Sequence, residues 1–333
     1  MTASRYDVLG IGNAIVDVIA RAEDDFLVAQ GMNKGSMTLI DEARAEAIYA
    51  AMGPAVESSG GSAANTIAGV ASFGARAAFV GKVKDDGLGK AFAHDIRSIN
   101  VAFDTKAAND GPATARCYIM VTPDGERTMN TYLGAAQDLR PADIDEAQIA
   151  AAEVVYLEGY LWDPPQAKEA FVKAATIAHK NGRRVALTLS DSFCVDRYRA
   201  EFLDLIRKGT VDIVFANEHE LHSLYETSDF AVATLALQKD AKLAVVTRSE
   251  KGCVVVTADR VEAVPAAPVV QVSDVTGAGD LFAAGFLVGL ARGKDHRTAA
   301  RLGGLAAAEV IQHIGARPAV SLKALAAENG LAV

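Results

Sequence analysis

Cysteine is scarce in this chain: 333 residues hold three, Cys117, Cys194 and Cys253, far apart and never as CxxC. An odd, low count argues against a disulfide framework, and the lack of a Cys/His cluster at ligand spacing argues against a structural zinc site. The three read as reduced thiols. No stretch of about 18 consecutive apolar residues occurs, so no membrane-spanning helix is expected. Met1 to Gly10 has no basic region followed by a long apolar run, so no secretory leader is expected and a soluble cytoplasmic protein is. Positive charge is in deficit, with 33 Lys and Arg against 42 Asp and Glu, a net −9. That balance disfavours a binder of nucleic-acid backbones, while a small anion held by local backbone dipoles stays compatible with it. Two familiar phosphate-binding patterns are missing as well. GxxxxGK[ST] is absent, and the first strand-to-helix turn carries only Gly10-Ile11-Gly12-Asn13 where a dinucleotide fingerprint needs GxGxxG. The second absence disfavours a nicotinamide dehydrogenase.

What is present is a chain that is 50% hydrophobic, enough for a large core. Tyr6 to Asn13 reads as a buried strand ending in a Gly-rich turn, followed by short extended pieces at Val16–Ala20, Ser36–Ile40 and Val56–Ser59. Asp41 is placed to cap a helix Glu42–Met52. Helices are expected at Ser62–Phe73 and Leu88–Ile99, and a strand at Arg76–Val83. Thr114–Thr122 and Arg127–Leu133 form two strands around the turn Pro123-Asp124-Gly125. Strand and helix then alternate: Val154–Leu157, Pro165–Lys180, Arg184–Leu189, a helix near Arg199–Arg207, Val211–Ala216, Glu218–Tyr225 and Leu243–Thr247. A hairpin Cys253–Thr257 and Val261–Val264 follows, then helices Gly279–Ala291, Thr298–Ile314 and one from Ser321. This rhythm predicts an α/β fold, a doubly wound, mostly parallel sheet flanked by helices. The early short strands break the rhythm and predict a small sheet that projects over a site.

The richest stretch is Asp274-Val275-Thr276-Gly277-Ala278-Gly279-Asp280, which opens a long helix. Small residues at a helix N-terminus let an anion approach unpaired N–H groups at the positive end of the dipole. A carboxylate in that first turn, Asp280, is placed to take a proton from an attacking hydroxyl. The plain alternative is that Asp280 caps its own helix.

The run Asp274 to Phe286 resembles the C-terminal signature of the ribokinase-like (PfkB-type) sugar and nucleoside kinases. Gly60-Gly61-Ser62-Ala63-Ala64-Asn65, with Gly74, Gly81 and Asp85-Asp86-Gly87-Leu88-Gly89, resembles the N-terminal signature. The two lie about 215 residues apart in the right order, and the resemblance extends over roughly residues 5–318. It implies one ribokinase-like kinase domain over 1–333, whose small β-sheet lid comes from about 13–20, 34–40, 55–59 and 113–133. It also implies phosphoryl transfer from ATP to an alcohol, with Mg²⁺ and in many relatives K⁺.

The resemblance places residue types that also make chemical sense. Asp17, five residues after Gly12, is a carboxylate able to grip a vicinal diol. With Asn13, Gly60, Gly61, Ser62 and Asn65 it forms the implied acceptor site. The spacing Gly12 to Asp17 and the run Asp124 to Ala135 resemble the adenosine kinase branch. Ile15, Met37, Met129 and Leu133 would sandwich a purine, or else be ordinary core. Tyr132 and Phe193 are weaker stacking candidates. Gly277, Ala278 and Gly279 form the implied anion hole with Asp280 as base, and Arg127 matches an Arg near the transferred phosphate. On the nucleotide side the resemblance implies Asn217 and Glu220 of an NxxE motif, Thr247, Gly252, Thr276, Gly277, Gly279 and Ala308, with Ala307 and Ile311 beside the adenine. Glu220 is expected to meet Mg²⁺ through water; Asn217 and Glu220 also read as a capping box, and both readings can hold together. Asp274 and the backbone near Thr276, with Gly315-Ala316-Arg317, resemble a monovalent-cation site. The expected activity is ATP-dependent phosphorylation of a nucleoside 5′-hydroxyl, adenosine first. The alternatives are a ribokinase- or fructokinase-type sugar kinase and an inosine–guanosine kinase. Neither nucleic acid nor membrane is expected as a partner, and monomer and homodimer both stay open.

Overall fold

The computed structural model describes residues 4–333; the first three residues of the segment read for a leader lie outside them. Among the described residues fourteen strands occur in chain order: β1 (Tyr6–Ile11), β2 (Ile15–Arg21), β3 (Met37–Leu39), β4 (Ala55–Gly60), β5 (Ala77–Val80), β6 (Val101–Ala102), β7 (Ala115–Val121), β8 (Arg127–Tyr132), β9 (Ala152–Glu158), β10 (Arg184–Thr188), β11 (Ile213–Asn217), β12 (Leu243–Thr247), β13 (Cys253–Thr257) and β14 (Val261–Val264). Nine of them build one sheet in the order β14-β13-β12-β11-β10-β9-β1-β5-β6. Pairing is parallel from β12 through β6, and only the β12-β13-β14 edge is antiparallel.

Alternation along these strands feeds two cores. Val8, Val154, Tyr156, Ile213, Phe215 and Val245 pack with the helices Ser62–Ser72, Ala278–Ala291 and His296–Val310. Their neighbours Leu9, Val155, Leu157, Leu187, Val214 and Val246 pack with Pro165–Lys180, Ser192–Arg207, Glu218–Tyr225 and Phe230–Asp240. Apolar residues on both faces are what a parallel sheet covered on both sides requires. Helix Ala278–Ala291 is buried along its whole middle, Leu281 to Leu290. It lies tight on its neighbours because Gly69, Gly285 and Gly303 leave no room for a Cβ there.

The remaining five strands form a second sheet, β3-β8-β7-β2-β4. Val16, Val18, Ala20, Tyr118 and Met120 face the core together with Ala45, Ile48, Phe92 and Ile96 of the helices Glu42–Ala51 and Gly87–Ser98. By register the opposite face carries Ser58 and Gly60 (β4), Ile15 and Asp17 (β2), Cys117 and Ile119 (β7), Arg127, Met129 and Thr131 (β8), and Met37 (β3).

Several boundaries differ from expectation. The strand expected over Arg76–Val83 pairs only over Ala77–Val80, because Gly81 peels away against Phe79 and the carbonyl of Gly12. The helix expected near Arg199 begins at Ser192, capped by Asp191, and is kinked at Tyr198. The helix expected over Thr298–Ile314 runs His296–Val310. Helices Asp24–Ala29, Glu146–Ala150 and Phe230–Asp240 carried too little periodicity to be expected. In the last, Val232 and Leu235 are exposed while Ala233 and Leu237 are buried, so apolar residues mark both faces. Among the described residues no helix is long and apolar enough to cross a membrane.

Candidate active site

The parallel strands end on one edge, where the chain places Gly12 after β1, Glu158 at the end of β9, Asn217 at the end of β11 and Thr247 at the end of β12. Open α/β sheets offer ligands a crevice at this carboxyl edge. The second sheet and the helix Ala278–Ala291 meet the same edge.

Asp280 is the third residue of that helix, whose N-cap is Gly277 with φ 80° and no capping side chain. A Cβ on Gly277 would stand 2.8 Å from the backbone of Ala316, so only glycine fits. A Cβ on Gly279 would meet open space, which leaves the first turn approachable. The Asp280 carboxylate reaches across to the helix Ser62–Ser72. It accepts from Ser62 Oγ at 2.6 Å and from Asn65 Nδ2 at 3.5 Å. Burial, with the Asp17 charge adding to it, pushes its pKa up to about 6 against those two hydrogen bonds.

On the acceptor side, Gly60 and Gly61 are both required by close approach. A Cβ on Gly60 would lie 2.3 Å from an Asp17 carboxylate oxygen, and one on Gly61 (φ 98°) 2.3 Å from the Asn13 carbonyl. Burial pushes Asp17 up to about 6, opposed by the charges of Arg317 and Arg127. Ile15, Met37 and Met129 share the Asp17 face of the second sheet, with Met37 46% exposed. Leu133 lies past the end of β8, leading into the turn Gly134–Asp138. Tyr132 is corrected as a stacking candidate: by register it lies on the opposite face, opposite Arg116, whose guanidinium covers its ring. Phe193 stands 76% exposed in the first turn of Ser192–Arg207, the helix that follows β10.

Two further residues stand in this region, Arg317, expected only within the cation-site run, and Glu158, not expected at all. Arg317 donates from Nε to Asn65 Oδ1 at 3.3 Å and sits beside Asp95. Glu158 accepts hydrogen bonds from Asn13 and Ala63. Glu158 had a readable signal, an acidic residue closing an apolar parallel strand at the carboxyl edge. The contact of Arg317 with Asn65, made from irregular chain, had none.

On the nucleotide side, Asn217 and Thr247 are direct neighbours in the β11–β12 register. Asn217 and Glu220 form the expected capping box: Asn217 Oδ1 accepts from the Glu220 amide at 2.9 Å, and Glu220 accepts from the Asn217 amide and Nδ2. Burial pushes Glu220 up to about 7. Each of its oxygens takes one of these hydrogen bonds, so each keeps a lone pair for water, and the pair fits a water-mediated Mg²⁺ role. Gly252 (φ 82°) closes the loop after β12 against the backbone of Val264 to Ala266. Ala308 is buried, and Ala307 and Ile311 pack against the main core. Thr276 is bound to Asp274 through both its amide and its hydroxyl.

Asp274 does not fit a cation-ligand role. Oδ1 accepts from the Thr276 amide and hydroxyl at 2.9 and 2.6 Å. Oδ2 accepts from Arg127 Nη1 at 2.6 Å and the Gly315 amide at 3.0 Å. All four lone-pair positions of the carboxylate are thereby filled, one by a guanidinium, and none is left for K⁺. Arg127, 7% exposed like its partner, thus ties the second sheet to the anion loop.

Comparison with known proteins agrees with this architecture. Residues 38–323 match the pfkB family carbohydrate kinase domain. The crystal structure of adenosine kinase from Sinorhizobium meliloti is 57% identical, with a TM-score of 0.91 over 98% of this chain and 100% of that one. A probable sugar kinase from Rhizobium etli is 54% identical, with a TM-score of 0.92 over 98% of this chain and 99% of that one. The probable fructokinase-6 of Arabidopsis thaliana is 30% identical over 246 residues, 70% of this chain; the match spans 62% of that protein's length. The chain therefore belongs to the pfkB family of carbohydrate kinases, with the ribokinase-like α/β fold.

Proposed function

We propose that this chain transfers the γ-phosphoryl group of ATP to the 5′-hydroxyl of a nucleoside, adenosine before others. The observation that carries the reading is Asp280: a carboxylate poised near 6, turned from its own helix towards Ser62 and Asn65, beside a glycine-lined helix N-terminus. Asp17, Gly61 and Asn65 hold the ribose by its diol. Asp280 accepts the 5′-hydroxyl proton as the oxygen–phosphorus bond forms and the bond to ADP breaks. The amides of Gly277, Gly279 and Asp280 receive the charge that develops on the phosphoryl oxygens, while the Ala278 amide donates to the Val275 carbonyl at 3.2 Å. Mg²⁺, when bound with the nucleotide, neutralises phosphate charge, and Asn217 and Glu220 would hold its waters. Arg127 reaches a transferred phosphoryl group only when its pair with Asp274 opens, which would couple phosphate binding to second-sheet position.

The adenosine preference rests on the apolar side chains Ile15, Met37 and Met129 flanking Asp17 on one sheet face. It also rests on the 57% identity to a protein described as adenosine kinase. The test is ADP release from MgATP by the full chain with adenosine, inosine, guanosine, ribose, fructose or no acceptor. Turnover with adenosine well above the others supports the reading. Turnover with a sugar alone keeps the kinase and makes those side chains ordinary packing.

A further inference from the structure

Glu158 is 1% exposed at the end of β9, yet among the described residues it faces no cation. Its partners are all neutral donors: Oε1 accepts from the Asn13 amide at 3.2 Å and from Asn13 Nδ2 at 2.6 Å, and Oε2 accepts from the Ala63 amide at 2.8 Å. Burial pushes its pKa up to about 7 against those hydrogen bonds. A buried carboxylate without a counter-ion is costly, so the arrangement calls for a reason.

The reason lies in where the three donors sit. Asn13 is the link from β1 of the main sheet to β2 of the second sheet. Ala63 is in the first turn of the helix Ser62–Ser72, where the chain returns from β4. Two of the four crossings between the two sheets, β1 to β2 and β4 to the helix that leads to β5, are thus fastened to one side chain of the main sheet. The helix needs this partner, because its N-cap is Gly61 and offers no side-chain oxygen. Gly12 completes the fit: a Cβ there would stand 2.3 Å from Glu158 Oε2. The hydrogen bond from Nδ2 also fixes which way the Asn13 amide points. Its Oδ1 is buried with no protein partner. A buried acceptor atom left open awaits a donor.

We propose that Glu158 is a positioning residue for the acceptor: it pins the first two of the four crossings of the second sheet and orients Asn13 so that Oδ1 receives a hydroxyl of the bound acceptor. This rests on the kinase reading above, and it adds a residue that contributes through Asn13 and the helix Ser62–Ser72. Only a carboxylate serves. Glutamine has the same size, but its amide would turn a second donor against Asn13 or Ala63.

The test uses the full chain with Glu158→Gln and the best acceptor of the wild type. Losing hydrogen bonds to a charged group raises the acceptor KM about tenfold or more, while the KM for MgATP stays within about twofold. Backbone hydrogen exchange in peptides covering Asn13 and Ala63 speeds up about tenfold, with β10 and β11 unchanged. Equal changes in both KM values, or an unchanged acceptor KM, overturn the proposal. If Glu158→Gln does not fold, Asn13→Ala takes its place, and an acceptor KM equal to the wild type overturns it. A wild type that turns over no acceptor defeats the kinase reading instead; the exchange at Asn13 and Ala63 then still decides whether Glu158 pins the crossings.

Discussion

Two carboxylates at this site, Asp17 and Asp280, are both pushed up to about 6 by burial, and the Asp17 charge raises Asp280 further. A base that titrates near 6 is ionised at neutral pH and still binds a proton well enough to help the attacking hydroxyl. Asp280→Asn keeps the shape and removes the base. Turnover should fall about 10²–10⁴-fold while binding of ATP and acceptor persists, measured by kcat and by calorimetric titration. Loss of binding together with turnover would contradict the role. The same burial sets a stability effect of defined sign. Each carboxyl has a folded pKa above its ordinary value of 3.8, so the penalty of the charged form is full above about 6 and is relieved as pH falls through that value. Asp280→Asn should therefore raise Tm at neutral pH, by on the order of 1–3 °C, and the gain should vanish at pH about 4. For activity the sign reverses: kcat/KM should decline below pH about 6, with a slope steeper than one proton because the two groups titrate together. A flat profile down to pH about 5 would remove Asp280 as base. At this scale Asp280, Asp17 and the glycines were legible because close approach and charge leave marks in residue type. The contacts of Glu158 and Arg317 were not, because their partners Asn13, Ala63 and Asn65 are distant in sequence and belong to other elements.

Among the elements, the contact that joins the second sheet to the anion loop is the Arg127–Asp274 pair, each side chain 7% exposed. Its hydrogen-bonding at 2.6 Å holds β8 over the segment leading to Gly277. Removing one partner leaves a buried charge uncompensated. Arg127→Met or Asp274→Asn alone should cost about 3 kcal/mol or more, and the double variant clearly less than the sum, by denaturant unfolding in a double-mutant cycle. Additive costs would show that the pair does not couple the elements. Element boundaries were legible where a polar residue fixes them. Asp41, Ser321 and Asn217 each cap the helix that the sequence placed after them, and the hairpin of β13 and β14 has its expected bounds. Phe230–Asp240 escaped because a helix with exposed Val232 and Leu235 shows no single apolar stripe.

Across the whole molecule the main sheet separates two cores and ends in one edge, and the second sheet approaches that edge with the Asp17 face. The alternation of apolar strands with helices was enough to reveal the two-sided sheet, and the broken rhythm before residue 134 was enough to separate the second one. What no pattern in the chain reveals is the order of strands and which side chains from residues 13, 62, 158, 280 and 317 gather at their ends; topology alone makes them neighbours. The central claim is that this gathering phosphorylates a nucleoside 5′-hydroxyl. Its most direct measurement is the product formed from MgATP and adenosine by the full chain, followed by ³¹P NMR against parallel ribose and fructose reactions. Adenosine 5′-monophosphate and ADP should form in equal amounts, and Asp280→Asn should abolish both. A phosphorylated sugar with no nucleotide product from adenosine, or ADP released equally without acceptor, would contradict the central claim.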